Sequence, residues 1–316
     1  MSVYTTVTPE QLGGWLTQHN AGTLVDLRGI SAGIENTNYF VTTSAGRYVL
    51  TLFEKLTAAE LPFYLGLMAH LADCGIPSAR PVPDLDGRLL GELNGKPAAL
   101  VSFLPGTDIE QPSEAQCAAV GTMLARIHLA GRSYPATIEN PRGLSWWQRV
   151  APEMVRFLTE HDAALLQGEV DFQSRQQFAE LPRGAIHGDL FRDNALFEGM
   201  RISGIIDFYF ACTDALLYDV AICVNDWGVS VEGAIDVRRT GALLRAYAST
   251  RPFVAQEAQA WPILLRAAAL RFWISRLYDF HRPRPGVLTH AKDPRHFQRI
   301  LEQHIRKAHA LPHVAL

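Results

Sequence analysis

Ala185-Ile186-His187-Gly188-Asp189-Leu190-Phe191-Arg192-Asp193-Asn194-Ala195-Leu196-Phe197, a turn at Glu198-Gly199-Met200, then Arg201-Ile202-Ser203-Gly204-Ile205-Ile206-Asp207-Phe208 form the stretch that decides the fold. Short apolar runs read as strands, and three polar residues punctuate them. Asp189 and Asn194 stand five residues apart around one loop. Asp207 ends a strand that pairs with Ala195–Phe197 through the turn, which returns it beside Asn194. A lone loop Asp or Asn is ordinarily a turn or cap residue; here the three occur together and in order.

That set suits phosphoryl transfer. One carboxylate orients the proton of an attacking hydroxyl, while a second carboxylate and an amide oxygen hold Mg²⁺ against nucleotide phosphates. The protein-kinase catalytic loop has the same Asp-to-Asn separation followed by a metal-binding Asp. Here Gly188 replaces the Arg of that loop, and Phe208-Tyr209 follows Asp207 in place of Phe-Gly.

Upstream, Thr8 and Pro9 open a short helix through Leu16. Leu24–Leu27, Asn38–Thr43 and Tyr48–Phe53 read as strands, with a turn at Ser44–Arg47 between the last two. Ala58 to Cys74 has the apolar spacing of a helix, stopped by Gly75 and Pro77. Arg88–Leu93 and Pro97–Leu104 read as a strand pair around Asn94-Gly95. Beyond Pro105-Gly106 the pattern turns helical, at Glu114–Ala130, Trp146–Gln167, Gly241–Ser249 and Glu257–Tyr278. A boundary is therefore expected near residue 104, and no internal repeat or low-complexity tract is evident.

Composition sets the bounds. The 316 residues are 48% hydrophobic and 19% charged, as in a globular protein of two domains or two lobes. Lys and Arg number 29 against 32 Asp and Glu, a net charge of −3 that offers nothing to a nucleic acid. Arg266, Arg271 and Arg276 interrupt the most apolar helix, so no membrane span or membrane partner is expected. No signal peptide is seen at the start, and the four cysteines form no CxxC pair, which fits a reduced, cytoplasmic setting. His128, His161 and His281 look isolated, and the tail histidines lack zinc spacing. No GxSxG elbow is present.

The chain resembles the aminoglycoside phosphotransferase/choline kinase superfamily of small-molecule kinases, and within it the homoserine kinase branch. The resemblance rests on the catalytic stretch together with Ile30–Val41, Tyr48–Glu54, Ile206–Tyr209, Tyr218–Ala221, Val224–Trp227 and Leu270–Trp273. It implies an α+β, two-lobed protein-kinase-like fold, with a small antiparallel-sheet N-lobe (1–104) and a larger, mainly helical C-lobe (105–316). The implied reaction moves the γ-phosphoryl of ATP, with Mg²⁺, to the side-chain hydroxyl of L-homoserine, a step toward threonine. Choline, an aminoglycoside or a methylthio sugar are alternative acceptors for the same fold.

By resemblance, Asp189 is the catalytic base, Asn194 and Asp207 are the magnesium ligands, and Asp219 braces the catalytic loop; a helix cap is the competing reading of Asp219. His187 serves structural hydrogen bonding. The Gly29–Asn38 loop, with Ser31, Gly33, Asn36, Thr37 and Asn38, could cover phosphates through backbone N–H groups. Thr51 stands where the superfamily usually has a phosphate-binding Lys, with Lys55 and Arg47 nearby. Ser102 and Phe103 fall in the expected inter-lobe hinge that binds adenine. For an amino-acid acceptor, Asp226 would take the ammonium and Arg271 the carboxylate, with Tyr209 and Trp273 lining the pocket. Oligomeric state is not legible.

Overall fold

The computed structural model describes residues 4–30, 35–282 and 292–311. Among the described residues the chain divides into two compact units: residues 4–30 and 35–105 with Gly204–Ile206, and Gly106–Ser203 with residues 207–282 and 292–311.

In the first unit, α1 (Pro9–Leu16) begins with a reciprocal capping box between Thr8 and Gln11, with Pro9 in the first turn. Five strands follow in one antiparallel sheet: β1 (Leu24–Gly29), β2 (Thr37–Thr43), β3 (Arg47–Leu52), β4 (Gly91–Leu93) and β5 (Lys96–Ser102), in the order β1-β2-β3-β5-β4. Alternation aims Tyr39, Val41, Leu50 and Leu100 into a core shared with Leu12, Trp15 and Leu16 of α1. Asn94 (φ 53°) and Gly95 (φ 72°) both adopt the left-handed conformation that a two-residue hairpin turn requires.

The strand expected from Arg88 begins only at Gly91. The Asp84 carboxylate accepts the N–H groups of Asp86 and Arg88, at 2.9 and 2.8 Å, and bends that segment into a turn. Helix α2 (Leu61–Asp73) buries Leu61, Tyr64, Leu65, Met68 and Leu71. Glu60 precedes it and accepts from the Thr57 N–H and hydroxyl, so its carboxylate is engaged locally.

The second unit holds α3 (Glu114–Gly131), α4 (Leu144–Met154), α5 (Glu160–Ser174), α6 (Leu216–Trp227), α7 (Val237–Thr250), α8 (Ala255–His281) and α9 (Arg295–Arg306). It also carries the two-stranded sheet of β6 (Arg183–Ile186) with β9 (Cys212–Ala215) and the hairpin of β7 (Ala195–Glu198) with β8 (Arg201–Ile205), of which Gly204 and Ile205 belong to the first unit. The single helix expected over Trp146–Gln167 is broken. Leu158 is extended, and Thr159 caps α5 by accepting the Asp162 N–H. α3 and α7 approach closely at Gly121, where a Cβ would lie 2.1 Å from the Leu243 carbonyl oxygen. Among the described residues no helix is long and apolar enough to cross a membrane.

α9 docks through a titratable group. His304 is buried, and its Nε2–H donates to Asn225 Oδ1 at 2.7 Å. The Asn225 amide nitrogen is committed to the Leu265 carbonyl, which fixes that direction. Burial pushes His304 down to about 3, with the nearby His309 and Arg266 adding to the effect. Between that value and the ordinary unfolded value of about 6.5, the unfolded chain binds the extra proton, so stability falls as pH drops through this window. At about 1.4 kcal/mol per pH unit, moving from pH 7.5 to pH 5 removes about 2 kcal/mol through His304 alone. Melting curves at both pH values should therefore show a smaller acid-induced drop for His304→Gln than for the parent chain; equal drops would dismiss the linkage.

Candidate active site

Strand β6 delivers the chain to His187, and from there hydrogen bonds to named partners fix the course of the loop. Gly188 sits at φ +74°, and a Cβ on it would lie 2.6 Å from the Phe210 carbonyl oxygen, so only glycine fits. The His187 and Gly188 N–H groups donate to the two oxygens of Asp219, at 2.8 and 2.9 Å. The Gly188 carbonyl accepts from the Arg271 guanidinium. The Asp189 N–H donates to His187 Nδ1 at 3.2 Å, which places the imidazole proton on Nε2. The His187 ring leans on Phe208, with centroids 4.5 Å apart.

Asp219 lies one turn inside α6, whose N-cap is Ala215, so it is not the cap. It is fully buried and also meets His128 Nε2 at 3.1 Å, while His128 Nδ1 meets the Tyr247 hydroxyl at 2.7 Å. Asp219 accepts, so His128 carries its proton on Nε2 and takes the Tyr247 O–H at Nδ1. Burial works to raise the Asp219 pKa, but the hydrogen bonds from His128 and the His187 backbone outweigh it and hold the carboxyl below its ordinary value. Burial lowers His128 against the opposing pull of Asp219, which keeps the imidazole neutral. His128, which looks isolated in the sequence, is therefore part of the loop's support.

The Asn194 amide nitrogen donates to the Asp189 carbonyl at 2.8 Å and approaches Asp189 Oδ2 at 3.4 Å. That orientation turns Asn194 Oδ1 away from Asp189. The β7–β8 hairpin returns the chain to Asp207, which holds left-handed angles (φ 62°, ψ 57°) that Asp tolerates better than most residues. Desolvation pushes the half-buried Asp189 up to about 8; Arg271 opposes this, and the negative charges of Asp207 and Asp193 add to it. A carboxylate and an amide oxygen beside a second acid are hard oxygen donors of the kind Mg²⁺ takes, and a bound cation reverses the local field. Among the described residues no cluster of three or more His, Cys, Asp or Glu could hold a metal unaided.

Several residues expected to meet ligands are engaged elsewhere. Asp226 lies within the last turn of α6 and is buried. Its carboxylate accepts the Arg192 N–H at 2.8 Å and the Arg192 Nε at 3.1 Å, while Arg192 Nη1 reaches the Glu110 carbonyl at 2.6 Å. It anchors the loop rather than presenting a free acid. Arg271 is 3% exposed, bonded to Gly188 and packed 4.1 Å over the Phe272 ring. Trp273 is fully enclosed, so it belongs to the core and lines no accessible pocket. Asp193 pairs with Lys292 at 2.7 Å.

In the first unit, Thr37 is fully buried; its hydroxyl accepts the Tyr4 N–H at 2.9 Å and donates to Glu54 at 2.8 Å. That hydroxyl ties the N-terminal segment to Glu54. Thr51 is buried and donates to Asn38 Oδ1 at 2.8 Å across the β2–β3 pair. Asn36 is buried as well. Lys55 pairs with Glu35 at 3.0 Å, and Arg47 stacks 3.8 Å over Phe103. Ser102 Oγ accepts the Arg80 N–H. Ser31 and Gly33 lie outside the described residues.

Comparison with known proteins places the chain. Residues 26–253 match the phosphotransferase enzyme family. The homoserine kinase of Methylobacillus flagellatus is 53% identical over 305 residues, covering 96% of each chain, and that of Burkholderia cenocepacia is 49% identical over 327 residues, covering 99% of this chain and 98% of the relative. Among solved structures, amicoumacin kinase hAmiN in complex with AMP-PNP and Ca²⁺ superposes with a TM-score of 0.71 at 13% identity, over 94% of this chain and 93% of that one. A microcompartment-associated aminopropanol kinase gives 0.63 at 18% identity, over 93% of each chain. At those identities the structures establish the kinase-like fold, and the match over most of the length establishes the lineage: the chain belongs to the phosphotransferase enzyme family.

Proposed function

We propose that this chain is an ATP-dependent homoserine kinase, transferring the γ-phosphoryl group of Mg·ATP to the side-chain hydroxyl of L-homoserine in the route to threonine. The carrying observation is identity of about one half to homoserine kinases across nearly the whole chain. The loop geometry supports the same chemistry.

In this reading residues 105–316 form the catalytic lobe and residues 1–104 the nucleotide lobe. Asp189 accepts and orients the proton of the acceptor hydroxyl, aligning its oxygen for in-line attack. Asn194 Oδ1 and Asp207 would hold Mg²⁺, which when bound would supply positive charge beside the transferring phosphate. Asn194 also fixes Asp189 through its amide N–H groups, so one residue sets both the base and the metal position. Asn36, Asn38 and the backbone of the loop containing Ser31 and Gly33 cover the phosphates, with the Ser102-Phe103 backbone toward adenine. Tyr209 remains on the acceptor side. Arg271 acts on the acceptor only through the Gly188 carbonyl it fixes.

The test is ADP release with Mg·ATP and a panel of L-homoserine, L-serine, L-threonine, choline, methylthioribose and an aminoglycoside, each product identified by mass. L-Homoserine should give the highest kcat/KM. L-Serine, one methylene shorter, should fall about 10–200-fold below it. A higher kcat/KM with any other acceptor overturns the assignment.

A further inference from the structure

Most cations near the catalytic loop are already committed. Arg192 is bound to Asp226 and to the Glu110 carbonyl. Arg271 is enclosed and bonded to the Gly188 carbonyl. Lys292 pairs with Asp193 at 2.7 Å, and Arg299 lies 3.7 Å from Asp293. Arg276, five residues beyond Arg271 on α8, differs from all of these. Its Nη1 donates to the Asp293 carbonyl at 3.2 Å, and among the described residues no carboxylate lies within ion-pair distance of it. Residues 283–291 contain no Asp or Glu that could supply one.

A guanidinium carries five N–H donors, so those on Nε and Nη2, which form one edge of the group, are left over. Neither nitrogen is among the enclosed, partnerless atoms of the described residues, so a ligand arriving from solvent can reach them. Burial pulls the half-buried Arg276 down to about 10, against the attraction of Asp226, Asp193, Asp293 and Asp189, and it stays charged at neutral pH. The local surplus of positive charge shows at His296. Burial first, and then Arg276, Arg299 and Arg192, drive that imidazole down to about 4.

Packing holds Arg276 beside the loop. Its guanidinium lies 4.4 Å over the Phe297 ring. Phe297 stacks in turn on Phe191 and Phe272, with centroids 5.8 and 5.1 Å apart. Phe191 stands two residues past Asp189, and the Lys292–Asp193 pair ties the segment before α9 to the same loop. Asp189 is itself among the acids that act on Arg276. An unpaired guanidinium edge matches the two oxygens of a carboxylate. Homoserine carries its carboxylate at the other end of a short chain from the hydroxyl that Asp189 aligns.

Resting on the homoserine reading above, we propose that Arg276 binds the carboxylate of the acceptor through its Nε and Nη2 edge, with Phe297 as the platform that holds the guanidinium beside the catalytic loop. The two arginines of α8 then have separate roles: Arg271 fixes the loop, and Arg276 selects acceptors that carry a carboxylate over neutral or cationic alcohols.

The full chain is assayed with Mg·ATP against L-homoserine and L-homoserinamide, which keeps the hydroxyl and the ammonium but replaces the carboxylate with a neutral amide. The parent should favour L-homoserine by about 10–100-fold in kcat/KM, the size of one charge-assisted contact. Arg276→Gln should bring the two acceptors within about threefold of each other, through a higher KM for L-homoserine rather than a lower kcat, with KM for ATP at the parental value. Arg276→Lys, which keeps the charge and loses the fork, should fall between. Both acceptors meet the same enzyme, so the ratio is independent of how much of a variant is folded. Where the glutamine variant does not fold, the lysine variant carries the comparison, and an unchanged ratio there overturns the assignment. An Arg276→Gln variant that keeps the parental preference, that loses both acceptors in equal proportion, or whose KM rises only for ATP overturns it as well. A parent that takes L-homoserine and its amide equally leaves the homoserine reading standing and removes the carboxylate contact. A parent inert toward L-homoserine but active on another acceptor overturns the homoserine reading and this assignment with it.

Discussion

Asp189→Asn should lower kcat by about 10²–10⁴-fold, the range for removing a positioned general base, while Mg·ATP binding changes little. The substitution is nearly isosteric, and Asn194 still donates to the residue-189 carbonyl, so the loop keeps its course. What disappears is the negative oxygen that draws the acceptor proton. Stability should not suffer, because burial and the acids at 207 and 193 already disfavour the charged form of Asp189 and push it up to about 8; an amide carries no such cost. The decisive comparison is steady-state turnover against calorimetric ATP affinity and melting temperature, measured on one preparation. Turnover at the parental rate would remove Asp189 from the mechanism, and turnover lost together with ATP affinity would make it a structural residue.

The parts of this site that the sequence discloses are local ones. His187, Asp189 and Asn194 lie on one short loop, and Glu198-Gly199-Met200 closes a hairpin whose strands are four and five residues long, so chain order alone carries Asp207 back. The N-terminal sheet is legible for the same reason, since its turns and caps are spelled by adjacent residues: Thr8 with Gln11, and Asn94 with Gly95. The supports of the loop are not local. His128 is 91 residues from Asp219 and 119 from Tyr247, and no periodicity links those positions. Asp226 shows how the error arises. An acid near the end of an apolar helix resembles a ligand for a substrate ammonium, but its partner, Arg192, stands 34 residues earlier on the loop itself. Thr51 raises the opposite difficulty. The absent Lys is visible in the sequence, while the Asn38 oxygen that takes its hydroxyl is defined only by the β2–β3 register. The break between α4 and α5 was open to reading, since Thr159 followed by Asp162 is a helix-start signal lying within an apolar pattern that invites one long helix.

Asp219→Ala should be the most destabilising single change in the catalytic unit. It strips the acceptor from three buried donors at once, the His187 N–H, the Gly188 N–H and His128 Nε2–H. Removing one member of a buried charged network costs about 3–5 kcal/mol, a large part of a total stability of about 5–15 kcal/mol. At about 2–4 °C per kcal/mol, the melting temperature should fall by about 10 °C. Asp219→Asn separates charge from shape, and it should not restore the parent. Asp219 Oδ1 faces the Gly188 N–H, and Oδ2 faces both the His187 N–H and His128, so an amide NH₂ placed at either position meets a backbone donor it cannot satisfy. His128 can switch its tautomer to accept from the amide, but a backbone N–H cannot. The fragment of backbone that both variants release leads directly into Asp189, so kcat should drop about 10²-fold, the effect of a displacement of about 1 Å, while KM for ATP moves far less. A melting temperature and kcat both at parental values in Asp219→Ala would show that the loop holds its shape without this carboxylate. A lowered melting temperature with unchanged kcat would confine Asp219 to stability and leave the positioning of Asp189 to Asn194 and Arg271.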